Sequence, residues 1–85
     1  MPKSVFTDAY ASMLQNLIAL RKKRGVSQVE LARRIGREQP FVSRVERGER
    51  RIDVIEFCAI VRAIGEDPVS VLADLMRHLP KGTLV

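Results

Sequence analysis

Between Ser27 and Gly48 the chain is punctuated so tightly that only two short helices meeting at a sharp turn will fit. Ser27-Gln28-Val29-Glu30 has the spacing of a capping box, in which the Ser27 hydroxyl accepts the Glu30 amide and the Glu30 carboxylate returns to the Ser27 N–H. Apolar Val29, Leu31, Ala32 and Ile35 follow, and then Gly36, the residue that most easily takes the left-handed conformation ending a helix. Past the turn Arg37-Glu38-Gln39, Pro40 suits the first helical position, where a missing N–H leaves nothing unsatisfied. Val42 and Val45 then put one apolar stripe on a helix that must stop before Gly48. The spacing predicts one helix from Gln28 to Gly36 and another over roughly Gln39 to Arg47.

Three more helices surround this pair. Thr7 or Asp8 caps the first, whose Tyr10, Met13, Leu14, Leu17 and Ile18 follow the stripe of a core-facing helix up to Gly25. Asp53 with Glu56 starts the fourth, packing Val54, Phe57, Cys58, Val61 and Ile64 before Gly65. Asp67-Pro68 starts the fifth, which runs through Val71, Leu72, Leu75, Met76 and Leu79 and is halted by Pro80. The fold class expected is all-α, a five-helix bundle, with residues 1–85 as a single domain and 1–6 and 81–85 as flexible ends.

Composition narrows the chemistry. One cysteine cannot make an internal disulfide and no apolar run approaches a bilayer span, so the expectation is a cytoplasmic chain without membrane contact. Cys58 lies on the apolar stripe and reads as a small core hydrophobe. A lone His78, surface or dimer-contact in character, has neither metal partners nor an activated hydroxyl beside it. No phosphate-cradling glycine loop exists. Hence no enzyme, no metal, no cofactor and no small-molecule substrate is expected.

Charge is unevenly spread. Residues 21–51 hold eleven bases against four acids, a net of +7 in a chain of net +5, and nine of those bases are arginines. Such a basic segment suits a polyanion, and the planar arginine fork suits phosphate and guanine edges, although a solvated helix face would look the same by composition alone. Position decides between them. Two helices joined through a Gly turn make the helix-turn-helix arrangement, which sets its second helix into the DNA major groove.

The residues SQVELARRIG, then FVSRVERGER, then the apolar helix ending AIG resemble the lambda-repressor-like, Cro-type (XRE) family over about residues 17–72. Counting from Gln28, the small fifth residue Ala32, the ninth Gly36, and the fifteenth and eighteenth, Val42 and Val45, match that family's pattern. The resemblance implies that the third helix is the recognition helix of a helix-turn-helix core at about 28–47. It implies that Gln39, Pro40, Ser43 and Arg44 approach base edges, with Arg44 the principal reader. Gln28 would meet a phosphate at the amino end of the second helix, while Arg47, Arg50 and Arg51 would lie along the backbone; for Arg50 and Arg51 a plain solvated surface is the other reading. Arg21 and Glu46 match a partly buried ion pair between the first and third helices.

Three departures from the pattern stand out, the first being Arg37, which holds a place where an apolar residue is frequent and is expected to point out to a phosphate. Glu38 sits where a hydroxyl cap is common, and Pro40 biases Gln39 away from helical angles; the reading set against base contact is a helix that starts one residue late, with Gln39 as a cap. Phe41 is expected to pack on the first helix rather than meet a thymine methyl. The fifth helix is richer in apolar side chains than one core needs, so Leu72, Leu75, Met76 and Leu79 are expected at a homodimer interface. The resemblance implies a transcription regulator on double-stranded DNA, a repressor on a palindromic operator, with no residues left over for a ligand-sensing domain. The other readings are a protein-binding module such as an antitoxin, and a restriction–modification controller.

Overall fold

The computed structural model describes residues 5–79 and 81–82, with side chains from residue 8 onward. Helices α1 (Val5–Lys23), α2 (Gln28–Arg34), α3 (Gln39–Glu46), α4 (Val54–Ile64) and α5 (Pro68–His78) follow one another through short turns, and no strand occurs among the described residues. α1 begins at Val5, ahead of the expected caps, and this leaves Asp8 in the first turn, where a carboxylate complements the helix dipole. Pro80, the stop expected for α5, lies outside the described residues, as do 1–4 and 83–85 of the ends expected to be flexible.

α4 is the central element because it contributes to both apolar clusters. Val26, Leu31, Ala32, Val42, Ile60 and Ile64 join α2 and α3 to one side of it. Leu17, Phe57, Val61 and Val71 join α1 and α5 to the other. Leu31 and Val61 are fully buried, each contributing roughly 1.5–3 kcal/mol of transfer free energy. Ala32, 1% exposed, lies where α2 and α3 meet too closely for a larger side chain. Gly36 carries the turn between them at φ +71°, while the Arg37 amide donates back to the Ala32 carbonyl at 2.9 Å.

Several stripe positions differ from expectation. Val29 and Val54 are exposed and not packed, and Ile60 supplies the α4 contact instead. The reason is rotational: on a 3.6-residue period Ile60 lies in line with Phe57, Val61 and Ile64, whereas Val54 in the first turn overhangs the core's edge. The Ser27 box is half formed. Ser27 Oγ accepts the Glu30 amide at 3.0 Å, but the Glu30 carboxylate turns to Arg33 and Arg34, whose charge outcompetes a neutral N–H. At α4 the box closes in both directions between Asp53 and Glu56.

Candidate nucleic-acid interface

The platform beneath α3 starts from Arg21, a buried charge at the inner end of α1. Its Nε donates to Glu46 Oε2 at 2.7 Å, Nη2 to Glu46 Oε1 at 2.9 Å and Nη1 to the Val26 carbonyl at 2.8 Å. The ion pair expected between α1 and α3 therefore exists, with side chains 9% and 12% exposed. Glu46 Oε1 also accepts from Gln28 Nε2 at 2.9 Å, and Gln28 Oε1 accepts from Gln39 Nε2 at 2.8 Å. The order is forced by sign. Arginine can only donate and an ionised glutamate can only accept, so Gln28 must turn its NH2 inward and its oxygen toward Gln39. Gln39 then keeps its own oxygen and a second N–H, the pair that adenine N6 and N7 require.

This relay modifies two expectations. Gln28 does not project alone from α2 but braces Gln39. Gln39 is the first helical residue and Pro40 the second, so the helix does not start late; Glu38 occupies the cap position without a side-chain bond to the backbone. The 18-position separation of Gln28 and Glu46 hides their contact from any local pattern.

On α3, Pro40 and Arg44 are exposed and Ser43 is half-buried. The Arg44 guanidinium has no hydrogen bond or ion pair within the described residues, unlike most of the basic segment. Arg24 pairs with Glu66 at 2.8 Å, Arg34 with Glu30 at 2.7 Å and Arg47 with Glu49 at 3.3 Å. Arg34 also donates to the Ala63 carbonyl at 2.7 Å, tying α2 to the end of α4. Much of the positive charge thus does structural or paired duty, which composition alone does not reveal. Hydrogen bonds from Arg33 and then Arg34 lower the Glu30 carboxyl to about 2.

Arg37 and Arg50 flank α3, their guanidinium carbons 4.4 and 5.0 Å from the Phe41 ring centre. Both face Glu56, at 3.6 and 2.5 Å. Phe41 shares this surface with Ile35, Ile55, Glu56, Ala59 and Ile60, so it packs toward α2 and α4 rather than on α1 as expected. Arg51 lies 4.4 Å from the Tyr10 ring centre, and the Ile52 amide donates to the Tyr10 hydroxyl at 3.1 Å, so α1 anchors the loop that leads into α4.

The helix-turn-helix family HTH_3 matches residues 17–71, a span that begins on α1 and ends on α5. The chain belongs to the XRE-type helix-turn-helix family. A solved structure of an XRE-family like protein from Pseudomonas syringae pv. tomato str. DC3000 is similar, with 43% identity, 89% of this chain and 93% of that chain covered, and a TM-score of 0.86. No curated protein matches the sequence. As an XRE-type domain the chain is a DNA-binding regulator.

On this XRE-type domain one large apolar surface lies away from α2 and α3. Tyr10, Met13, Ile52, Val54, Phe57, Cys58, Pro68, Val69, Leu72 and Leu75, together with the charged Arg51 and Asp53, line an open groove of about 370 Å³. Of the α5 residues expected at an interface, Leu72 and Met76 are 48% and 61% exposed, while Leu75 and Leu79 are half-buried; Val69, 74% exposed, adds to the surface. No described helix is long and apolar enough to cross a membrane.

Proposed function

We propose that this domain represses transcription as a homodimer on a palindromic operator. In this reading Arg44 reads a guanine, Gln39 an adenine, and Pro40 and Ser43 meet neighbouring base edges. Arg37, Arg47, Arg50 and Arg51 address phosphates, which fix register without reading sequence, and Gln28 has for this only the second N–H of its amide, the rest of its side chain being held by Glu46 and Gln39. The single observation that carries it is on α3: an exposed arginine, Arg44, without an ion pair among the described residues shares the helix with Gln39, whose amide is oriented from a buried ion pair. Selection of bound duplexes from a random library tests it. A palindromic consensus is expected, and Arg44→Ala should relax one position per half-site by ~1–3 kcal/mol while leaving the rest intact. An unchanged consensus would remove Arg44 from the reader's role.

The dimer surface in this reading is the exposed part of α5 with the adjoining groove. One reader spans only a few base pairs, so a two-fold partner is needed to extend the site. The face suits a second copy: it is mostly apolar, the Arg51 in its lining has Asp53 in the same groove, and the segment after Arg51 carries three bases against five acids, so two copies meet with little of the repulsion that basic residues 21–51 as a whole would impose.

A further inference from the structure

Arg37 and Arg50, both assigned above to phosphates, already have an anion. Glu56 Oε1 accepts from Arg50 Nη1, and Glu56 Oε2 lies 3.6 Å from Arg37 Nη2. The carboxylate is not a passing surface partner, because the Asp53 amide also donates to Oε1 at 2.9 Å and fixes it at the first turn of α4. Its side chain is only 18% exposed, whereas those of Arg37 and Arg50 are 48% and 41% exposed. The acid is thus held from within while the two bases face outward over Phe41. An approaching DNA backbone finds two guanidiniums in place with part of their charge cancelled.

We propose that Glu56 is an internal competitor of the DNA phosphates, occupying Arg37 and Arg50 and thereby holding down the sequence-independent grip of the domain. The inference rests on the DNA-binding role of these two arginines. Each phosphate that takes a guanidinium must displace the carboxylate, so net gain per contact is small; Arg44, outside the cluster, loses nothing. Glu56 therefore lowers binding to random DNA more than it lowers base readout, which raises discrimination. The Phe41 ring keeps both guanidiniums placed when the carboxylate releases them, since the ring attracts a cation without neutralising it. Arg50 foremost, with the Asp53 amide and Arg37, holds the Glu56 carboxyl below its ordinary range, so the competitor is ionised wherever duplex DNA persists.

Glu56→Gln tests this, because the amide oxygen still accepts the Asp53 N–H and only the charge is lost. With folding checked by circular dichroism, binding to a random-sequence duplex is titrated across salt concentrations. The variant should bind several-fold tighter at low salt, with a log–log salt slope steeper by about one to two, one for each arginine released. It should select the same consensus as the native protein. In Glu56→Gln/Arg37→Ala/Arg50→Ala the gain should vanish; a gain that survives would mark a general charge effect and overturn the proposal. In the native protein, which needs no substitution, the Glu56 carboxyl ¹³C resonance should shift on saturation with duplex, and an unmoved resonance would overturn it. If the native protein binds duplex and Glu56→Gln binds equally or more weakly, the competitor role falls and the DNA reading stands. If neither binds duplex at low salt, the DNA reading itself falls, and the proposal with it.

Discussion

Arg21 has the most consequential position of any single residue, because its charge is buried and its effect reaches the surface through three links. Glu46 answers the charge, Gln28 takes its orientation from Glu46, and Gln39 takes its orientation from Gln28. Arg21→Ala leaves Glu46 without its cation and the Val26 carbonyl without its donor, and breaking a buried pair from one side costs ~3–5 kcal/mol. Thermal or urea unfolding should show a loss of that size; a loss under about half a kcal/mol would mean that water reaches the pair. Glu46→Gln asks a different question. A neutral amide can present either end to Gln28, so the relay loses its fixed direction while most side-chain volume is kept. The expected result is a weakened preference at the base that Gln39 reads, visible in site selection, with Arg44's position unchanged. Of these residues, the Arg21–Glu46 pair was legible through family resemblance. The Gln28 link was not, since it depends on how α2 crosses α3 and not on any spacing along either helix.

At the scale of the element, helix starts that carry a side-chain cap were the most legible feature and helix faces less so, while α1 begins ahead of its expected caps. Asp53 and Asp67 cap α4 and α5 because caps are local chemistry, read from a few consecutive residues. Val29 and Val54 show the limit: an apolar residue in a first turn satisfies a helical stripe, yet its burial depends on how far the neighbouring helix extends over it. Glu30 shows another, for the box it could make with Ser27 is overruled by two arginines one turn further on, toward which its carboxylate turns. That choice has a pH signature. The folded-state value of about 2 lies below the ordinary 4.5, so the stabilisation is complete above the ordinary value and is lost as pH falls through the folded one. Between about pH 4.5 and 2 the melting temperature of the native protein should fall more steeply than that of Glu30→Gln, which retains the Ser27 cap on the residue's amide. High salt should narrow the difference, because Arg33 is largely exposed. Parallel curves at low salt would show that the cluster adds nothing to stability.

At the scale of the whole molecule, most of the basic segment lies away from the apolar surface, the two meeting at Arg51, and the two halves of the proposed function divide between them. α5 joins the core mainly through Val71, packing chiefly on α4, and leaves Val69, Leu72 and Met76 outward. A second copy on such a face would bring a second recognition helix to the same duplex, which one domain alone cannot do. Leu72→Asp/Met76→Asp separates this from a structural role, since both side chains are exposed and neither belongs to the clusters around α4. The doubly substituted chain should melt within a few degrees of the native one, sediment at half the mass, and lose affinity for a palindromic site far more than for random duplex, because the second half-site then binds as a separate event. A native chain that is already monomeric at concentrations where it protects both half-sites would defeat the dimer. The groove beside α5 would then be left for a partner protein, the arrangement an antitoxin requires.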